Sequence, residues 1–347
     1  MVWSQAHAKL HTLLRNRILL PPNSPVLMAV SGGQDSLCMA RLLIDIQPQW
    51  NWKLGIIHCD HRWREDSQLN ADHVLQLAEE WNVTAWCNAA KSVPGNEADA
   101  RAWRYKTFAD VARRQGYGYV VCGHTMSDRA ETVLYHLIRG TGLDGIGTLP
   151  WSRPIDQSEP TVSLVRPLLS FSRQETSEFC QQHNLAVWED STNQSLNFRR
   201  NRIRQELLPY LREHFNPQVE RALAQTLEIT AAEVDFLERQ TASIYKEVVT
   251  CEPKNTENLA HKGLAQTQSP HTWKIHQKHL REQPLAIQRR VIRSVLRHAL
   301  VQTPNFQHID KVVSLLQAPN GSQCDPLPGG VTAQVCKPFL LINQVAK

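Results

Sequence analysis

Val26-Leu27-Met28-Ala29-Val30-Ser31-Gly32-Gly33-Gln34-Asp35-Ser36 is the stretch from which the fold of this chain is read. Val26 to Val30 has the character of a buried strand, and Leu37 to Ile46 reads as an apolar helix. The residues between them therefore form a tight strand-to-helix loop. Gly32 and Gly33 lack a Cβ and let a ligand approach the backbone, while the helix that follows points free N–H groups and its positive end into the loop. Such a loop cradles an anion. Ser31 and Ser36 add hydroxyls, and Asp35 puts a carboxylate beside the expected phosphate, an arrangement that calls for Mg²⁺ between the two. An ordinary βα turn capped by Ser36 is the plain alternative, but the whole hexapeptide at this junction favours a nucleoside triphosphate with metal.

The hexapeptide is neither Walker A nor GxGxxG. It resembles the SGGxDS loop of the N-type ATP pyrophosphatases, and that resemblance implies ATP cleavage to AMP and pyrophosphate with a carbonyl-type oxygen adenylated on the way.

The chain has 347 residues, 41% hydrophobic and 20% charged, enough for two domains with real cores. A net charge of +5 is compatible with a polyanionic partner. The eight cysteines are scattered without a CxxC pair, as reduced thiols of a cytoplasmic protein would be. Neither an apolar signal segment nor a run approaching the ~18 apolar residues of a membrane span occurs, so no membrane association is expected.

Residues 3–20 read as an amphipathic helix ending before Pro21-Pro22. Strands are expected at 53–59, 83–86 and 119–122, and in the 161–169 stretch, with helices at 65–80, 97–115, 127–139 and 172–183. Ser172 and Glu175 form a capping box. Strand-helix alternation predicts a doubly wound parallel sheet, α/β in class, whose ligands bind beyond the strands' C-terminal ends. His58, Asp60 and His61 close the second strand; His124, Asp128 and Glu131 follow the fourth. The glycine-rich run 139–147 reads as a linker or an active-site lid. From residue 216 a smaller, mainly helical domain is expected, giving domains of 1–215 and 216–347; it holds helices at 219–248, 284–300 and 309–316, and 330–343 alternates like a terminal hairpin strand.

Asp35, Asp128 and Glu131 are the carboxylates placed near the metal and the nucleophile. Asp128 and Glu131, three apart, share a helix face, though acidic residues there also complement the dipole. The HCDH run lacks the helical spacing of a catalytic zinc site, which points His58 to a nucleotide or the neighbouring loop. Between His271 and Arg297, seven Lys or Arg face Glu282 alone, and Arg289, Arg293 and Arg297 follow i,i+4 spacing. This stripe is either a solvated face or a contact to a phosphate backbone.

Taken with Arg101, Arg104 and Tyr105, Gly140 to Leu143, Arg166 to Leu169, and above all Asp190-Ser191-Thr192-Asn193 followed by Arg200-Asn201-Arg202-Ile203-Arg204, these motifs resemble the tRNA(Ile)-lysidine synthase family. The resemblance spans most of the chain and implies an adenine nucleotide alpha hydrolase-like fold. It also implies ATP with Mg²⁺ and ligation of free L-lysine to the wobble cytidine of CAU-anticodon tRNA(Ile), with a homodimer among the open arrangements. Ser31 to Ser36, His58 and His124 would then bind ATP, with Asp35 on the metal. Asp128 or Glu131 would bind the lysine ammonium or take its proton, and Arg202 or Arg204 would stabilise the intermediate or hold the RNA. Asp190, Thr192, Asn193, Arg200, Arg289, Arg293 and Arg297 would face tRNA. Thr125 and Arg129 stand where the family often has His and Gln, and many relatives carry a further C-terminal domain. A tRNA 2-thiolation enzyme would need cluster-binding cysteines. For an amidating synthetase the arginine-rich segments would be superfluous, and a non-catalytic tRNA binder has no use for a metal-bound phosphate loop.

Overall fold

The computed structural model describes the chain except residues 1, 2, 64, 65, 143–148, 189–195, 197, 198, 254–270 and 345–347. It divides into two compact units, Met1–Ala231 and Ala232–Lys347.

The first unit alternates as its sequence predicts: α1 (Gln5–Arg17), β1 (Pro25–Ala29), α2 (Gln34–Trp50), β2 (Lys53–Asp60), α3 (Ser67–Glu80), β3 (Thr84–Ala89), α4 (Glu97–Gln115), β4 (Tyr119–Cys122) and α5 (Met126–Ile138). After these come β5 (Ser152–Pro154), β6 (Ser163–Val165), α6 (Arg173–Gln182), α7 (Arg199–Arg202), a π-helical turn (Ile203–Leu207) and α8 (Leu208–His214). The strand order is β3-β2-β1-β4-β6-β5, parallel throughout except for the antiparallel edge strand β5. β5, three residues long and open at the edge, has no sequence signal of its own.

Alternate residues of the central strands serve two cores. Val26 and Met28 join Leu10, Leu14, Leu42, Val74 and Phe179 on one face, whereas Leu27 joins Val120, Leu164, Phe108 and Ala112 on the other. The helices α1, α2, α3 and α6 thus cover one face and α4 the other, which is the doubly wound arrangement. β1 has β2 on one side and β4 on the other, so the β1/β4 crevice is the switch point at which open α/β sheets bind ligands.

The helix α9 (Val219–Val248) carries the division between the units. Its beginning belongs to the first unit because Val219 and Leu223 pack with Ala130, Ile203 and Leu208. The second unit contains β7 (Val249–Pro253), β8 (His271–His276), α10 (Gln277–Arg281), α11 (Leu285–Ala299), α12 (Phe306–Ser314), β9 (Thr332–Cys336) and β10 (Phe339–Asn343). Its four strands form an antiparallel sheet in the order β7-β8-β10-β9, so the unit is less helical than the sequence suggests. β7 exposes all but Val249, and β8 lies in a stretch whose basic residues mask its alternation. Among the described residues, no helix is long and apolar enough to cross a membrane.

Candidate active site

The loop after β1 is folded by its own serines. The Ser36 hydroxyl accepts from the Ser31 amide (3.1 Å) and donates to the Gly33 carbonyl (2.8 Å), and Ser31 Oγ lies 3.2 Å away. The N-cap of α2 is Gly33, not Ser36, which leaves the first amides of a 17-residue helix aimed out of the loop. Gly32 has φ +86°, a conformation that favours glycine, and a Cβ there would meet Asn70 Oδ1 at 2.3 Å. Asn70 itself donates to the Ser31 carbonyl (3.0 Å), and the Trp188 amide donates to the Gly32 carbonyl (3.0 Å). His58, buried at the end of β2, reaches the Val30 carbonyl through Nδ1 (2.9 Å), so it supports the loop from below. Asp60 takes the Arg62 amide (2.7 Å) and shapes the turn after β2.

Gln34 faces α6: its Nε2 donates to the Arg173 carbonyl and to Thr176 Oγ1, both at 2.8 Å. Thr176 in turn donates to Asp35 Oδ1. The other Asp35 oxygen lies 3.6 Å from Nε of Arg173, whose Nη2 stands 3.0 Å from Asp128 and 3.8 Å from Glu131. Arg204 closes the group from the π-helical turn, with two hydrogen bonds to Glu131 (2.7 and 3.0 Å) and Asp128 at 3.5 Å.

Three carboxylates and two guanidiniums therefore interlock beside the loop, and the three carboxylates differ. Asp128 Oδ2 accepts from the amide (2.8 Å) and hydroxyl (3.1 Å) of Thr125, a reciprocal cap of α5 that accounts for Thr125. Burial pushes the Asp128 carboxyl up, but Arg173, that amide and Arg204 hold it below the usual range. Burial dominates at Asp35 and Glu131, and their carboxyls are raised despite the arginines. His124, half-buried, is pushed down by burial and by Arg166, Arg104 and Arg101 against the pull of Asp128, and so stays neutral.

The structure brings Asp35, Asp128, Glu131 and Arg204 together but not Arg202. Arg202 and Arg204 stand two positions apart on a helical stretch and so face different ways, and Arg202 points outward to Glu206 (3.1 Å) with 62% of its side chain exposed. Arg200 pairs with Glu97 (3.3 Å) over the Tyr135 ring. Arg129 is buried against Glu228 and Trp151, a packing role. Asp190, Thr192 and Asn193, and the Leu143 to Gly147 part of the lid candidate, lie outside the described residues. Sequence reasoning missed Arg173 and Thr176. The signal was present, since Arg173 is a cation in the first turn of a helix, where the dipole disfavours one, directly after the Ser172 capping box.

In the second unit the basic stripe is partly compensated, contrary to expectation: Arg289 pairs with Asp310 (3.0 Å) and Lys274 with Glu252 (2.6 Å). Arg293 and Arg297 lie on the same helix, whose Val291, Ile292, Val295 and Leu296 are buried.

Among the described residues no cluster of three or more His, Cys, Asp or Glu is arranged to hold a metal. Asp35 is nonetheless a hard oxygen donor at a helix N-terminus already facing a cation, and Mg²⁺ is commonly held by one carboxylate and substrate phosphates. The donor chemistry fits that ion.

Comparisons with known proteins agree with this geometry. The PP-loop domain family matches residues 3–211 and the TilS substrate binding domain matches residues 277–337. A tRNA(Ile)-lysidine synthase of Nostoc sp. is 50% identical over 99% of this chain and 98% of its own, and that of Synechocystis sp. is 43% identical over 98% of each. The chain belongs to the tRNA(Ile)-lysidine synthase family. The U34-tRNA thiolase of Methanococcus maripaludis is similar in fold, with a TM-score of 0.55 and 20% identity over 65% of this chain and 76% of that one. In this member of the synthase family, then, the interlocked cluster of Asp35, Asp128, Glu131, Arg173 and Arg204 stands at the mouth of the PP-loop in the β1/β4 crevice.

Proposed function

We infer that the protein catalyses ATP-dependent ligation of L-lysine to the wobble cytidine of a CAU-anticodon tRNA(Ile), a carbon–nitrogen ligation that yields lysidine, AMP and diphosphate. The observation that carries the reading is the pairing of the PP-loop with the cluster through Arg173, which faces Asp35 on one side and Asp128 and Glu131 on the other.

In the first step the cytosine 2-carbonyl oxygen attacks the ATP α-phosphorus and pyrophosphate leaves. The Gly33 to Ser36 amides and the α2 dipole stabilise the charge on the leaving group, with Arg173 beside them. Asp35 would hold Mg²⁺, which neutralises phosphate charge when bound.

In the second step the lysine ε-amine attacks C2 of the adenylated cytidine, the C2–O bond to AMP breaks, and the amine gives up a proton. The raised carboxyl of Glu131 is the better base and the lowered Asp128 the better ammonium anchor, because proton affinity follows pKa. Arg204 fixes the Glu131 rotamer through its paired hydrogen bonds. The single-stranded anticodon loop lets the cytosine splay into this site, and Arg293 and Arg297 contribute phosphate contacts elsewhere on the tRNA. A cytoplasmic location accords with this substrate.

The test is pyrophosphate release in the presence of the tRNA transcript. Asp35→Ala is expected to lose at least a hundredfold in rate; full release by this variant would refute the role given to Asp35.

A further inference from the structure

Beside the acidic cluster lies a basic one that forms no ion pair among the described residues. The guanidiniums of Arg101 and Arg104, on α4, and of Arg153, on β5, lie 4.9, 5.9 and 5.2 Å from the centre of the Tyr105 ring. Arg166, directly after β6, is fully buried. Its Nη1 donates to the Pro150 carbonyl (2.8 Å), whereas Nε and Nη2 have no hydrogen-bond partner among the described residues. The buried Tyr105 hydroxyl, His124 Nδ1 and Ser170 Oγ are likewise unpartnered. The four arginines share one neighbourhood: Tyr105 packs on the core that holds Cys122 and Leu164, Arg153 pairs in register with Leu164, and the Arg166 amide donates to the Trp151 carbonyl just before β5 (2.9 Å). Among the described residues no carboxylate forms an ion pair with any of the four, in contrast to Arg173 and Arg204.

A buried guanidinium with open donors is costly unless an anion completes it. We propose that Arg166 and Tyr105 form the floor of a second anion pocket, walled by Arg101, Arg104 and Arg153, that receives a phosphate group during the reaction. Several planar donor forks and a local charge of about four match phosphate oxygens better than a single carboxylate. The pocket lies at the C-terminal ends of β4 and β6 and on the α4 face of the sheet, opposite the face covered by α2 and its loop. The group it takes is a phosphate of the nucleotide or of the RNA backbone. The pocket rests on the phosphate chemistry of the proposed function, but its failure is read separately, because wild-type lysine transfer can be measured in the same preparation.

The test compares the full chain with Arg166→Met, Arg166→Lys and Arg153→Gln, titrating inorganic pyrophosphate and an anticodon stem-loop RNA while following Tm. Arg166→Met is expected to melt at or above the wild type without ligand, since an uncompensated buried charge is gone. It is also expected to bind one of the two probes at least tenfold more weakly, with Arg166→Lys intermediate. Loss confined to pyrophosphate assigns the pocket to the nucleotide, and loss confined to the stem-loop assigns it to the RNA backbone; either supports it. If Arg166→Met does not fold, Arg153→Gln on the edge strand decides, with at least a threefold loss expected. Affinities of both probes within twofold of wild type in every folded variant would overturn the pocket.

Discussion

Gly123 lies so close to Asp35 that a Cβ on it would stand 2.7 Å from the Asp35 carbonyl oxygen and 3.0 Å from Ser36 Cα. The neighbours are backbone and cannot turn aside, so this glycine sets how near the β4 loop comes to the start of α2. Gly123→Ala is expected to cost about 1–3 kcal/mol of stability and to weaken ATP binding by more than its stability loss alone would. Urea unfolding paired with an ATP titration checks both.

Arg204 and Glu131 form a partly buried pair. Arg204→Met leaves the Glu131 carboxylate, 5% exposed, with Arg173 at 3.8 Å as its remaining ion-pair partner, and is expected to destabilise the protein by about 2 kcal/mol. Adding Glu131→Gln to that variant should recover most of the loss, as a double-mutant cycle would show. Glu131→Gln alone should slow lysine transfer at least a hundredfold while pyrophosphate release persists.

The pH dependence of stability has a predictable sign. His61, pushed down to about 4 by burial and by Arg104, and His124, pushed down by burial, both resist protonation in the folded chain. As pH falls through about 6.5 the unfolded chain takes up protons that the folded chain refuses, so these histidines lower stability from there down to about 4. One refused proton sets a limiting slope of about 1.4 kcal/mol per pH unit, and His61, partly exposed and screened by solvent, contributes less than that limit. His124→Asn should flatten that slope by about one proton in urea unfolding between pH 6.5 and 4.5.

Arg297, exposed on α11, is a candidate phosphate contact. Arg297→Gln is expected to reduce the slope of log affinity for tRNA against log salt concentration by somewhat under one, with Tm unchanged. A slope equal to wild type would remove Arg297 from the RNA contacts.

The first unit was legible because its signals agree at each level. The apolar run Val26 to Val30 ends in glycines, strands alternate with helices, and Ser172 with Glu175 caps α6 as their spacing requires. Asp35, Asp128 and Glu131 could be found because each follows a strand's C-terminal end. Arg204 was named but not separated from Arg202, since residues two apart on a helix face different ways and the spacing does not say which of the two turns to the carboxylates. Arg173 reaches the carboxylates only through tertiary packing of α6 on α2, so its odd place in a helix's first turn marks it in the sequence without naming what it meets. β7 and β8 were missed for a related reason: β7 is an exposed edge, and β8 alternates within a run whose charges suggested a binding face.

The most direct test of the central reading is incorporation of radiolabelled lysine into RNA by the purified protein with ATP and Mg²⁺, using a tRNA(Ile) transcript with a CAU anticodon and a second transcript in which the wobble cytidine is replaced by uridine. The account predicts label in the first transcript and none in the second, with AMP and pyrophosphate formed in step. ATP cleavage with no lysine in either RNA, or equal labelling of both, would contradict it.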